Sequence, residues 1–221
     1  MSDIHHRAEP AGRRLALADG SASLLLVPGL GLALPRFHFH IGRVVHASQE
    51  LGLFRVQTTL LLGNDHTGHS ELAELQADPR LDAGAQTRAL QQLVQAACEL
   101  VSASPQDFGT ALVAELPGWR DAAGASPFWQ ALGARFYAGD PAAAQARLGH
   151  AWCSHLAALL PRQSVYLSFL GEAAAARLAE PALTARPAFA ALRAAGFQPP
   201  AHVRIDDGGP VLCWHAPSGG S

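Results

Sequence analysis

Apolar and polar positions alternate with period two through Phe37-His38-Phe39-His40-Ile41. That is the pattern of a half-buried strand, because successive side chains of an extended chain point to opposite faces. Residues 14–18 and 22–27 are short apolar runs on either side of Asp19-Gly20, a hairpin signal. Residues 56–62 and 71–77 read as two further strands, joined by the turn-forming segment Gly63-Asn64-Asp65-His66-Thr67-Gly68. After Asp78-Pro79 the period changes. Leu90, Leu93, Val94, Ala97 and Val101 fall at i, i+3, i+4, i+7 and i+11, which predicts a helix with one buried face. Ser104-Pro105 ends it, and residues 110–116 predict another strand. Residues 128–136, 155–160 and 187–195 read as helices, the last with Gly196 at the C-terminal cap position. Residues 202–206 and 211–214 predict a closing hairpin across Asp207-Gly208-Gly209. Strands first and alternation later predict one α+β or mixed α/β sheet domain over residues 14–216. Residues 1–13 and 217–221 are expected to be a flexible start and tail.

At 221 residues the chain is long enough to bury a core of its own, and with 49% hydrophobic and 15% charged residues it is not a disordered chain. The apolar run at residues 22–27 is strand-sized, far short of a membrane span, and no signal-peptide core follows His5-His6-Arg7. A net charge of −2 gives no electrostatic case for nucleic acid or an anionic membrane. Cys98, Cys153 and Cys213 are odd in number, widely spaced and set among apolar residues. They read as buried thiols of a cytoplasmic protein and not as a disulfide frame or zinc site.

Three blocks carry more than fold information. The first holds His46-Ala47-Ser48 with Glu50-Leu51, then Asn64-Asp65-His66-Thr67-Gly68, Ser70-Glu71-Leu72 and Asp78-Pro79. The second is Ser126-Pro127-Phe128-Trp129-Gln130-Ala131-Leu132-Gly133-Ala134-Arg135-Phe136, and the third is Asp207-Gly208-Gly209-Pro210. In this order, over roughly residues 19–212, they resemble the arginine N-succinyltransferases. The resemblance implies a GCN5-related N-acyltransferase-like fold, a central and mostly antiparallel sheet flanked by helices. It also implies succinyl-CoA as cosubstrate with no permanently bound cofactor, and arginine or a similar amine as acceptor.

A helix N-terminus offers unpaired N–H groups to phosphate, and a loop that lets its backbone approach a pyrophosphate needs small residues. The family's CoA loop, Arg/Gln-x-x-Gly-x-Gly/Ala, is matched by Arg80-x-x-Ala83-x-Ala85 with Gly84 inside it; an ungapped match instead sets Asp82 at the arginine position. A family leucine that contacts succinyl-CoA corresponds to Leu75. The cofactor-binding candidates are therefore Leu75, Arg80, Gly84 and Ala85.

Attack of an amine on a thioester needs a group to take the amine proton and one to protonate the departing thiolate. The family's proton donor is a histidine followed by proline. Aligned on Pro181, its place is taken by Glu180; without a gap, by Ala182. Glu180 and His66, the latter just before the Leu75 strand, are the acid/base candidates, each against a structural reading as a surface carboxylate and a turn histidine. Glu115, near a strand end, is a third carboxylate to weigh. His38 and His40 share a strand face, but no third ligand is evident, and no metal site is expected.

Relative to the family, the first strand and the two helices after it have no counterpart before Arg14, and the chain stops soon after Pro210. Uncovered sheet surface implies a homo- or hetero-oligomer. Two readings result. One is an acyltransferase moving succinyl from succinyl-CoA to the α-amino group of arginine or a similar amine. The other is a catalytically degenerate relative serving as a binding or partner subunit.

Overall fold

Turn chemistry shapes the start of the chain. In the computed structural model, which describes residues 3–149 and 151–217, β1 (Ile4–Glu9), β2 (Gly12–Leu17) and β3 (Ala22–Val27) form an antiparallel meander. At its second turn Gly20 takes φ +71° and the Asp19 carboxylate accepts from the Ser21 N–H, a short-range bond that fixes the reversal. Ile4–Glu9, expected within a flexible start, is thus paired as an edge strand. Of the tail expected to be mobile, residues 218–221 lie outside the described residues.

β4 (His38–Ser48) and β5 (Leu53–Gly63) make a long hairpin, and β6 (Ser70–Ala77) returns beside β3. Helices α1 (Ala83–Ala103) and α2 (Pro105–Phe108) lead into β7 (Ala111–Glu115). A helical stretch follows, with α3 (Pro127–Ala131), α4 (Pro141–Leu148) and α5 (Ala151–Leu159), then the short β8 (Val165–Tyr166) and α6 (Glu172–Arg177). Last come α7 (Arg186–Ala194), β9 (His202–Arg204) and β10 (Pro210–His215). The described strands form one sheet in the order β1-β2-β3-β6-β7-β10-β9-β4-β5-β8, antiparallel throughout except between β6 and β7. The expected α+β fold with a mostly antiparallel sheet is the observed one.

The helical periodicity read from the sequence is the buried face of α1: Leu90, Leu93, Val94, Ala97 and Val101 pack on Leu24, Leu26, Leu72, Leu112 and Leu212 of the sheet. Residues 187–195 match α7, which packs beside α1 and adds Ala188, Ala191 and Leu192. Each such large side chain contributes about 1.5–3 kcal/mol by leaving water. A second core joins Phe39, Leu60 and Leu62 of the hairpin to Phe128, Trp152 and Leu156. The helix expected over residues 128–136 breaks at Leu132 into a tighter turn over Gly133–Arg135. At Gly133 the Trp129 indole lies where a side chain would be, so the aromatic packs directly on backbone.

The far end of the β4–β5 hairpin projects beyond the sheet. Along the hairpin, β9 pairs with His38–His40 alone and β8 with Thr59 and Leu60 alone. There Val45, Leu51, Phe54 and Val56 are exposed. Among the described residues, no helix is long and apolar enough to cross a membrane.

Candidate functional site

Among the described residues, the one parallel pairing in the sheet borders a cleft. β6 and β7 share two residue pairs, Ser70–Leu112 and Glu71–Val113, and the ladder then ends. On the other side of β6, a bulge against β3 falls between Ser23 and Leu25, and Glu74 takes φ +50°, a conformation that costs a residue with a Cβ about 1–2 kcal/mol. Beyond this point lies a cleft of about 1210 Å³, lined by Leu75, Ala77, Gly84, Glu115, Leu116 and Arg186 among others. Its walls are the free end of β6, the start of α1, the end of β7 and the start of α7.

Two of the four cofactor-binding candidates, Leu75 and Gly84, share this cleft; Arg80 and Ala85 are not among its lining residues. Arg80 is largely exposed and forks onto Asp78, whose carboxyl that contact holds down at about 2. The Ala85 N–H is taken by the Asp82 carboxylate, which caps α1. A negative charge therefore already sits at the helix end where a phosphate would bind. A cation missed in the sequence stands close by. The Arg88 guanidinium is 3.3 Å from where a Gly84 side chain would begin. Its signal was the i,i+4 spacing from Gly84, legible only once the helix start was placed.

The acid/base candidates lie apart from one another. Glu180 is not among the cleft-lining residues. Hydrogen bonds from Arg177 and Arg186 hold its carboxyl below the usual carboxylate range, which disfavours proton donation at neutral pH. His66 is 6% exposed and outside the cleft lining. Burial, reinforced by His202, His38 and His69 around it, pushes its imidazole down to about 3, so it is neutral. His38 and His40 do share a strand face as expected: His38 bonds Glu115 at 3.0 Å, while the His40 ring meets that of His202 at a tilt, and His202 bonds Asp65 at 2.9 Å.

Glu115 and Glu74 are carboxylates that the fold sets at the cleft, and Glu115 is the buried one. Alternation along β7 turns Leu112 and Ala114 to the α1 core and Val113 and Glu115 to the other face. There Glu115 accepts from Arg36 Nε at 2.7 Å and from His38, with Arg204 at 3.9 Å. Arg36 also reaches Glu71, and Arg204 also pairs with Asp206 and Asp207. Burial by itself would raise the Glu115 pKa; the His38 hydrogen bond and the two guanidiniums outweigh it and hold the carboxyl well below its usual range. Arg36 and Arg204 as partners had no signal in spacing, since they come from a loop and from β9.

Comparisons with known proteins agree with this architecture. The model of the family AstA, arginine N-succinyltransferase beta subunit, matches residues 20–217. Arginine N-succinyltransferases of Salmonella arizonae and Salmonella paratyphi B are each 37% identical over 185 residues, 83% of this chain and 52% of the relative. The chain thus spans about half the length of these curated relatives. A solved structure, arginine/ornithine succinyltransferase subunit AI from Pseudomonas aeruginosa, superposes with a TM-score of 0.71 at 24% identity, covering 95% of this chain and 62% of that one, and shares its fold. With the family pattern running through nearly the whole sequence, this chain belongs to the arginine N-succinyltransferase family.

Proposed function

We propose that this chain binds succinyl-CoA in the β6–β7 cleft and serves transfer of the succinyl group to the α-amino group of arginine or a similar amine. The observation that carries the reading is the parting of two parallel strands after two residue pairs. It leaves the β7-side edge of Glu74–Ala77 without a strand partner along the cleft, where the amides of a pantetheine arm can pair as an added strand would. Leu75 gives that arm an apolar contact. Gly84, Arg88 and the start of α1 suit the pyrophosphate, with Asp82 opposing it.

In the reaction the amine nitrogen attacks the thioester carbonyl. A C–N bond forms, the C–S bond breaks, the thiolate leaves and takes a proton, and the amine proton passes to a base or to water. Neither Glu180 nor the enclosed His66 suits proton transfer, and Glu115 at the cleft wall is already committed to Arg36, His38 and Arg204. Three free thiols support a reducing, cytoplasmic setting.

A second reading has its own observation. The exposed Leu51, Phe54 and Val56 on the projecting hairpin suit association with a second copy or a partner subunit. Phe54→Asp is expected to lower the particle mass in light scattering; a monomer before substitution counts against association.

Calorimetric titration with succinyl-CoA, with acetyl-CoA alongside, tests the main reading. Saturable binding that prefers succinyl-CoA and is lost in Gly84→Asp supports it. A folded protein that binds neither thioester overturns it in favour of the partner-subunit reading.

A further inference from the structure

On the sheet face away from α1, the loop before β6 and the last strand bring three metal-ligating side chains together. One donor atom each from His66, His69 and Cys213 lies within 4.8 Å of the other two. The loop is held in place by backbone bonds: His69 N–H donates to His66 O, Leu30 N–H to His69 O, and Gly68 N–H to Leu30 O. Cys213 is placed by alternation in β10, where Leu212 turns to the α1 core and Cys213 to the opposite face.

The group has unspent bonding capacity. His66 Nε2 and His69 Nδ1 are both buried and have no hydrogen-bond partner. Buried polar atoms are normally satisfied, so two orphans in one cluster of ligand-type side chains ask for an acceptor of lone pairs. Nearby, His202 bonds Asp65 and His38 Nε2 bonds Glu115, while His38 Nδ1 is a further buried nitrogen without a partner and lies outside the three-residue group. Cys213 is a free thiol, and His215 Nε2 stands 3.9 Å from its sulfur, at the exposed side of the cluster.

We propose that His66, His69 and Cys213 form a site for a divalent d-block cation of the zinc type, with its fourth position facing His215. Two imidazoles and a thiolate are borderline-soft donors that favour such an ion over calcium or magnesium. Tetrahedral coordination sets its donors about 3.3–3.8 Å apart, so closure from 4.8 Å needs a side-chain shift of about 1 Å. Binding converts the Cys213 thiol to thiolate and releases its proton to solvent. Sequence spacing points away from a metal site, because the ligands sit in two segments more than a hundred residues apart.

The test uses the untagged full chain, stripped with chelator and titrated with Co²⁺. One equivalent is expected to produce a thiolate-to-cobalt charge-transfer band and the intense visible bands of four-coordinate cobalt, both displaced by Zn²⁺. Cys213→Ser is expected to abolish the charge-transfer band and weaken binding by at least about 100-fold, since even outer-shell partners cost about 10–100-fold. Cys98→Ser, in the α1 core, is expected to keep both. X-ray absorption of the Zn²⁺-loaded unsubstituted protein gives a readout independent of variant folding, with a shell of one sulfur and two or three nitrogens expected. No saturable binding, a shell without sulfur, or a charge-transfer band that survives Cys213→Ser overturns the site.

Discussion

Two clusters of titratable side chains sit on the same face of the sheet, and their bonding differs in kind. Around Glu115 the charges are bridged, two guanidiniums among four carboxylates: Arg36 joins Glu71 to Glu115, and Arg204 joins Glu115 to Asp206 and Asp207. Around His66 they are not, and two buried nitrogens lack partners, as does His38 Nδ1 where the clusters meet. The clusters almost touch, with the His38 and His66 rings 5.3 Å apart. Yet the first reads as a preformed wall, rigid because each charge depends on its neighbour, and the second as a set of donors without an acceptor. Position in the fold does not explain the contrast. It follows from side-chain type, since arginines and carboxylates complete one another while neutral histidines compete for the same donors.

The largest effect is expected where pairing is densest. Arg204→Met leaves Glu115, Asp206 and Asp207 without their shared cation, and urea unfolding should report a loss of about 3–5 kcal/mol. A loss under about 1 kcal/mol would remove the distinction between the clusters.

Glu115→Gln is expected to cost less, about 1–3 kcal/mol at neutral pH, because an acceptor remains for His38 and Arg36. It should also change the pH profile. The Glu115 pKa is lower in the folded chain than in the unfolded one, so its contribution is fully present above the ordinary carboxylate pKa, about 4.3. That contribution is lost as pH falls toward the folded value. Unfolding followed from pH 7 downward should therefore show a steeper acid decline in the unsubstituted chain than in Glu115→Gln; parallel declines would contradict the pairing.

The smallest effect is expected at the unmatched cluster. His66→Leu removes an orphaned nitrogen along with the ring, and metal-free protein should change by no more than about 1 kcal/mol in either direction. A loss comparable to that of Arg204→Met would mean that His66 already has a structural partner.

Much of the scaffold could be read in the sequence, for reasons visible at particular residues. The α1 stripe from Leu90 to Val101 was legible because its face packs on one continuous apolar surface. The hairpin turns at Asp19-Gly20 and Asp207-Gly208-Gly209 were legible because short-range chemistry sets them. The full length of β4 and β5 was not, since their outer halves bury neither face and so carry no strict alternation. β1, β8, α4 and α6 were missed for a related reason: they are short or mostly exposed, so they carry little apolar periodicity.

The candidate site divides the same way. Leu75 and Gly84 were found through family motifs, and both line the cleft. Arg80 fitted the motif in type, but a carboxylate two residues away claims its guanidinium. Arg36, His38 and Arg204 converge on Glu115 from a loop and two strands, a meeting no local pattern encodes.

By itself, then, the sequence determined the family, the sheet-and-helix class, the buried face of α1 and the turns, because each depends on residues close together along the chain. Only the tertiary structure decided where β6 and β7 part, which cations hold Glu115, and that Cys213 lies beside His66 and His69. Those outcomes depend on strand order and register, which bring together residues that the linear chain keeps apart.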